Sequence, residues 1–270
     1  MFDYLNSQSI AHLATSVVAG GRSANTAKSY TADLRALLDY YGTTNISHEG
    51  LDDLARKWLN NAGAPSSTTR RRAASLRAYA KMTGVSLLVD YRLPPEPRHD
   101  AHPLPNQLDD VKALLDAADS HREQLLIALC AGLGLRVGEA LTVTPSSVDW
   151  PNDTVRITGK GRKEREVPIT GLARPYLERA VDRANDPHEL LLDRSDSWAR
   201  QTVRKLGKAA NLARPIASHD LRSTFATVAY DTTKDLTAVQ DLLGHASPVT
   251  TRRYTLARMA SKRAATAAIA

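Results

Sequence analysis

The sequence predicts a mainly α protein with a small antiparallel β-sheet, its two halves separated by a proline-rich stretch. Three observations lead there. Apolar residues recur at helical spacing through most of both halves. Five prolines, at positions 94, 95, 97, 103 and 105, break the chain between residues 92 and 107. The helical period gives way where TVRIT and REVPI flank the turn GKGRKE.

At 270 residues the chain exceeds the usual size of a single core, so one large or two modest domains are expected. A hydrophobic content of 42% supplies core enough for either. The expected division is a helical domain over 1–91, a linker over 92–107 and a second domain over 108–270.

In the first half, SANTAKSYTADLRALLDYYG places Tyr30, Leu34, Leu37, Leu38 and Tyr41 on one helical face, and Gly42 closes the helix. SSTTRRRAASLRAYAKMTG has Ser and Thr as caps, Leu76, Tyr79 and Ala80 as its inner face, and Gly84 beyond its end. Its Arg70, Arg71, Arg72, Arg77 and Lys81 have no acidic partner on the same helix. A solvated face is the ordinary reading of such a run. The missing i, i+4 partners favour instead a helix that meets phosphates. RLPPEPRHDAHPLPNQ then favours extended chain that could reach ~50 Å at roughly 3.3 Å per residue. It suits either a connector holding two domains on opposite sides of a ligand or an ordered surface loop.

Beyond it, LDDVKALLDAA and REQLLIALCAGLGL read as helices, the second apolar nearly all round and therefore central. TVRIT (154–158) and REVPI (165–169) read as a hairpin, with a short strand near Ser147–Asp149 and PND as its turn. Helical patterns return from residue 170.

The formal charge of +7 points weakly to polyanions; its clustering says more than its size. Cys130, the lone cysteine, sits in an apolar run and reads as a buried hydrophobe, with no disulfide to suggest an oxidising compartment. The N-terminus lacks a basic n-region, and no segment approaches the ~18 apolar residues of a membrane span. A soluble, cytoplasmic protein without membrane association is expected.

Five pieces carry chemistry. Arg136 opens a helix in GLGLRVGEAL, with Glu139 one turn on. Lys160 lies at the tip of the predicted hairpin. His219 and Arg222 share a helix face in SHDLRSTFAT. In LTAVQDLLGH, Thr237 and Gln240 form a capping-box pattern and Gly244 stops the helix ahead of His245. In SPVTTRRYT, Ser247 caps a helix with Pro248 at its first position and Tyr254 two turns on.

Singly, each has an ordinary structural explanation. Together they are what attack on a phosphodiester requires: arginines to clamp nonbridging oxygens, a proton acceptor, a proton donor and a nucleophile. A tyrosine of pKa about 10 is about a thousandth ionised at neutral pH, and cationic neighbours with a basic histidine correct that. A phosphotyrosyl diester conserves the energy of the broken bond, so rejoining needs no ATP. No Walker sequence, HExxH or metal-ligand spacing occurs, in keeping with a reaction without cofactor.

The order Arg, Lys, His-x-x-Arg, His, Tyr, in the settings GLRVGEAL, GKGRKEREVPI, HDLRSTFAT and LGHASPVTTRRYT, resembles the tyrosine recombinase (phage integrase) family, from about residue 104 to 256. SANTAKSYTADLRALLDYYG resembles that family's helical core-binding domain. The resemblance implies a core-binding domain followed by an α+β catalytic domain, and a site-specific DNA recombinase or integrase working through a 3′-phosphotyrosyl intermediate. It implies that Tyr254 attacks the phosphate, that Arg136 and Arg222 hold the nonbridging oxygens, and that His219 takes the tyrosine's proton. Lys160 would protonate the leaving 5′ oxygen, His245 would add a hydrogen bond to the phosphate, and Glu139 would orient the arginine and histidine groups. Thr26, Lys28, Arg70, Arg71, Arg72, Arg77 and Lys81 are the expected DNA contacts. Arg252 and Arg253 match no invariant role, and DNA contact and plain exposure fit them equally.

Ser223 departs from the pattern where many relatives carry a second histidine. Only 22 residues precede Ser23, too few for an arm-binding domain, and the layout is similar to Xer-type recombinases. Expected partners are duplex DNA with a specific core site, three further copies in a tetramer on that DNA, and an accessory directionality factor, as for a mobile element. The tail LARMASKRAATAAIA has apolar residues near helical spacing and would pack on its own domain or, as the family suggests, on a neighbouring protomer. Two rival functions share these residues: a DNA-relaxing topoisomerase with the same chemistry, and a catalytically silent DNA-binding regulator.

Overall fold

The structure is a computed structural model that describes residues 2–61, 63, 65–95, 102–159 and 163–244. The chain divides into two compact units, Met1–Arg98 and His99–Ala270, the boundary lying within the proline-rich stretch.

The first unit opens with strand β1 (Tyr4–Asn6) and helix α1 (Ser7–Ala19). Asn6 caps α1 reciprocally: its side chain accepts from the Ser9 N–H, and the Ser9 hydroxyl accepts from the Asn6 N–H. Helix α2 (Ala24–Tyr40) starts on Ser23, whose hydroxyl accepts from the Thr26 N–H. Its predicted stripe of Tyr30, Leu34, Leu37 and Leu38 is buried, and Gly42 follows at φ 61°. Strand β2 (Asn45–Ser47) pairs antiparallel with β1, setting Leu5 against Ile46, and leads into α3 (His48–Asn61). Neither of these strands nor α3 was legible beforehand.

Helix α4 (Ser66–Thr83) closes the unit against α1, α2 and α3. The expected Ser and Thr caps correct to Pro65, which contributes no side-chain cap, while Gly84 ends the helix at φ 79° as expected. Tyr79 is fully buried, its hydroxyl 3.0 Å from the Tyr4 carbonyl, 3.1 Å from Ser9 Oγ and 2.9 Å from His48 Nε2. One phenol thus ties β1, α1 and α3 to α4.

The second unit is built around the apolar run that the sequence marks as central. Helices α5 (Leu108–Asp116) and α6 (His121–Ile127) lead into a π-helical turn over Ala128–Gly132, and Leu125–Cys130 are all completely buried. Burial pushes the Cys130 thiol up to about 12, so this cysteine is an inert hydrophobe at neutral pH. A four-residue helix α7 (Val137–Ala140) follows, then a three-stranded antiparallel sheet in order β3 (Val148–Asp149), β4 (Thr154–Thr158), β5 (Glu164–Pro168). Val155 faces Val167 and Ile157 faces Arg165 across the hairpin. Strand β5 begins one residue earlier than expected, at Glu164.

Helices α8 (Arg174–Val181), α9 (Asp196–Ala209), α10 (Ser218–Thr233) and α11 (Leu236–Leu243) complete the described part. The predicted capping box at Thr237 is corrected: Asp235 is the cap, its carboxylate accepting from the N–H groups of Thr237 and Ala238. Gly244 ends α11 at φ 61°. Among the described residues no helix is long and apolar enough to cross a membrane.

Candidate active site

The sequence GLGLRVGEA folds as a tight entry into α7. Gly134 stands at φ 65°, and a Cβ there would lie 2.4 Å from the Phe225 ring, so only glycine fits. The turn leaves Arg136 at the helix N-cap in extended conformation, with its side chain partly exposed. Glu139, three residues on and 7% exposed, accepts from the Arg136 backbone N–H at 2.9 Å and from Arg136 Nη1 at 2.7 Å.

Arg222 comes from the first half of α10 and is 1% exposed. Its Nη1 donates to the Gly134 carbonyl at 2.6 Å and lies 3.5 Å from Glu139 Oε2; its Nη2 donates to the Leu243 carbonyl at 2.5 Å. His219, one turn earlier on the same helix, is exposed. Arg136, His219 and Arg222 line one cavity of about 240 Å³, to which Asp196 and Arg200 of α9 also contribute. Ser223 is fully buried, and its hydroxyl has no partner among the described residues.

A third guanidinium was not foreseen. Arg165 of β5 donates from Nη2 to Glu139 Oε2 at 2.9 Å and from Nη1 to Oε1 at 3.2 Å. The signal for it was weak but present: Arg165 is two residues from buried Val167 and therefore on the inward face of the strand. An inward arginine needs an acidic partner. Burial by itself would raise the Glu139 pKa. Hydrogen bonds from Arg165 and from the Arg136 N–H, with the charges of Arg165 and Arg222, outweigh it and lower the carboxyl to about 2. Glu139 is thus an anion at neutral pH and holds cations from three separate segments in place.

Four of the predicted site residues, Arg136, Glu139, His219 and Arg222, therefore meet in the second unit. Lys160, His245 and Tyr254 lie outside the described residues, as do Ser247, Pro248, Arg252, Arg253 and the tail.

The basic helix of the first unit divides its charges. Arg70, Arg77 and Lys81 line a cavity of about 690 Å³ together with Arg22. Arg71 instead pairs at 2.5 Å with Asp33 of α2, a buried carboxylate that also accepts from Ser75. Arg72 stacks 4.3 Å over the Trp58 ring. The acidic partner missing from α4 itself is supplied by α2. On α2, Thr26 bonds Ser23 through its hydroxyl, and Lys28 is exposed.

Residues 107–261, more than half of the chain, match the Phage integrase family. The tyrosine recombinase XerD of Corynebacterium glutamicum is 31% identical, over 91% of this chain and 91% of that protein. The tyrosine recombinase XerC of Rhodospirillum centenum is 33% identical, over 87% and 78%. Among solved structures, the XerH site-specific recombinase bound to its difH substrate matches with a TM-score of 0.65 at 21% identity, covering 89% of this chain and 78% of that one. The Tn1549 transposon integrase in complex with circular intermediate DNA matches with a TM-score of 0.68 at 18% identity, over 97% and 99%. At these identities the two structures speak to the fold.

Proposed function

Because the chain belongs to the phage integrase family and is a tyrosine-type site-specific recombinase, we propose that Arg136, His219 and Arg222 form the described part of its strand-cleavage site. The observation that carries this is their convergence on one cavity, with Arg136 and Arg222 both held by the buried, ionised Glu139. A phosphate entering it meets donors from two guanidiniums, fixed before the reaction begins and aimed at charge that grows in the transition state, with the His219 imidazole beside them to accept a proton.

In the reaction, the Tyr254 phenol oxygen attacks phosphorus and its proton passes to His219. The bond to the 5′ oxygen breaks, and Lys160 supplies the proton that this oxygen takes up. His245 donates to a nonbridging oxygen. The product is a 3′-phosphotyrosyl diester and a free 5′ hydroxyl, and attack by a second 5′ hydroxyl reverses the step on a new partner strand.

The first unit, through Thr26, Lys28 and the basic face of α4, acts as the core-binding domain on duplex DNA, and the second unit cleaves it. The DNA-bound structures of XerH and the Tn1549 integrase favour a defined core site as substrate. Exchange of both strands calls for a tetramer on two such sites in the cytoplasm, with a directionality factor choosing between integration and excision.

The test is a suicide duplex whose cleaved end diffuses away, analysed on a denaturing gel. Wild-type protein yields a covalent protein–DNA adduct, whereas Tyr254→Phe binds the duplex equally and yields none. Absence of adduct from wild-type protein on its own site assigns the chain to DNA binding alone.

A further inference from the structure

Arg165 stands on β5 opposite Ile157, and its side chain is 12% exposed. Two of its nitrogens hold both oxygens of Glu139. The third, Nε, donates at 2.9 Å to the carbonyl of Leu242, in the last turn of α11. Carbonyls there have no intrahelical donor and need one from elsewhere. The next, that of Leu243, is taken by Arg222 Nη2.

Gly244 completes the arrangement. At φ 61° it favours glycine, and a Cβ on it would lie 3.1 Å from Arg165 Cδ and Nη1. The helix end is therefore shaped to admit this guanidinium. From that point the chain continues to His245 and Tyr254.

We propose that Arg165 is a positioning residue for strand cleavage, locking the C-terminal end of α11 to the Arg136–Glu139–Arg222 cluster so that the segment after Gly244 departs from a fixed point. The proposal rests on Tyr254 being the nucleophile. Arg165 also lies on the strand that follows Lys160, and an effect through the hairpin would be an effect on leaving-group protonation. Its donors run to Glu139 and Leu242, which places its action on the clamp and on the nucleophile's side.

The chemistry separates these routes. When sulfur replaces the bridging 5′ oxygen, the P–S bond breaks to release a thiolate, which needs no proton. Single-turnover adduct formation is measured at saturating suicide duplex, with oxygen and with sulfur at that position. Wild-type protein, Arg165→Gln, Arg165→Lys and Lys160→Ala are compared. Arg165→Gln is expected to slow adduct formation about 10–100-fold on both substrates, the scale of a misplacement near 1 Å, with DNA affinity within about threefold of wild type. Arg165→Lys recovers part of the rate, because one ammonium reaches either Glu139 or the Leu242 carbonyl but not both. Lys160→Ala recovers on the sulfur substrate.

A folded Arg165→Gln that matches wild type at saturation overturns the proposal. So does recovery of Arg165→Gln by sulfur, which assigns the residue to the hairpin. If Arg165→Gln does not fold, Arg165→Lys bears the same criteria. Wild-type protein that forms no adduct overturns the cleavage reading itself, and Tyr254→Phe that still forms one overturns the nucleophile assignment, both results distinct from any difference among the Arg165 variants.

Discussion

Glu139 shows how a single buried carboxylate sets the behaviour of its surroundings. Its pKa of about 2 lies below the ordinary 4.5, so the ionised form stabilises the fold fully above pH 4.5. That contribution, about 3 kcal/mol at 1.36 kcal/mol per pKa unit, is lost as the pH falls from 4.5 towards 2. Glu139→Gln is expected to lower stability at pH 7 and to flatten the acid limb in that window. Urea unfolding of both proteins at pH values between 7 and 2.5 measures this, and parallel curves would mean that the arginine cluster does not depend on the charge. Gly134 is the second residue on which the site turns. An alanine there must hold a left-handed φ and displace the Phe225 ring, which together cost about 2–3 kcal/mol. Since Arg222 Nη1 rests on the Gly134 carbonyl, Gly134→Ala should also slow strand cleavage beyond what its stability explains. Adduct rates taken well below the variant's melting temperature decide it.

At the scale of elements, α11 is short and depends on its ends. Asp235 accepts two backbone N–H groups at its start, and Arg165 and Arg222 take carbonyls at its finish. Asp235→Ala is expected to cost about 1 kcal/mol, and Thr237→Ala less than about 0.5 kcal/mol, since Thr237 lies inside the helix with no capping role. Urea denaturation of the pair reads the difference; equal losses would restore Thr237 as the cap. The misreading has a physical source. Asp and Thr both suit an N-cap, and Gln240 three residues after Thr237 imitates a capping box that the backbone does not form. Helix α2 is legible because a stripe of leucines and tyrosines repeats over several turns, and α4 because Leu76 and Tyr79 mark its inner face and Gly84 its end. Strands β1 and β2, three residues each, are too short to show a period, and the π-helical turn at Ala128–Gly132 lies in a run apolar on every side. Arg136, His219 and Arg222 could be read from motif order. Arg165 shares the inward phase of Val167 in REVPI, but that phase alone does not reveal its partner Glu139, 26 residues away in sequence.

Over the whole molecule, the two proposed sites fall in different units. The proposed cleavage groups Arg136, Glu139, His219 and Arg222 all belong to the second, whereas Arg22, Arg70, Arg77 and Lys81 line a cavity of the first. Affinity and chemistry should therefore respond to different substitutions within the intact chain. Each cation that neutralises a phosphate releases counterions and adds about 0.9 to the slope of log affinity against log salt. Replacing Arg77 and Lys81 together by alanine is expected to make that slope shallower by about 2 and to weaken binding at physiological salt. The same variant at saturating DNA should form adduct within about twofold of the wild-type rate. Arg136→Ala should do the opposite, changing the slope by less than about 1 while cutting the single-turnover rate by roughly 10²–10³-fold, the usual consequence of removing a donor from a preorganised anion site. Arg71 and Arg72 provide the internal control. Their partners are Asp33 and Trp58, so Arg72→Ala should lower the melting temperature without making the salt slope shallower. Salt titrations by fluorescence anisotropy, combined with single-turnover gels on the same preparations, test all three. A double alanine variant that loses saturated rate in proportion to affinity would show that the basic helix takes part in cleavage, and the division by unit would fall.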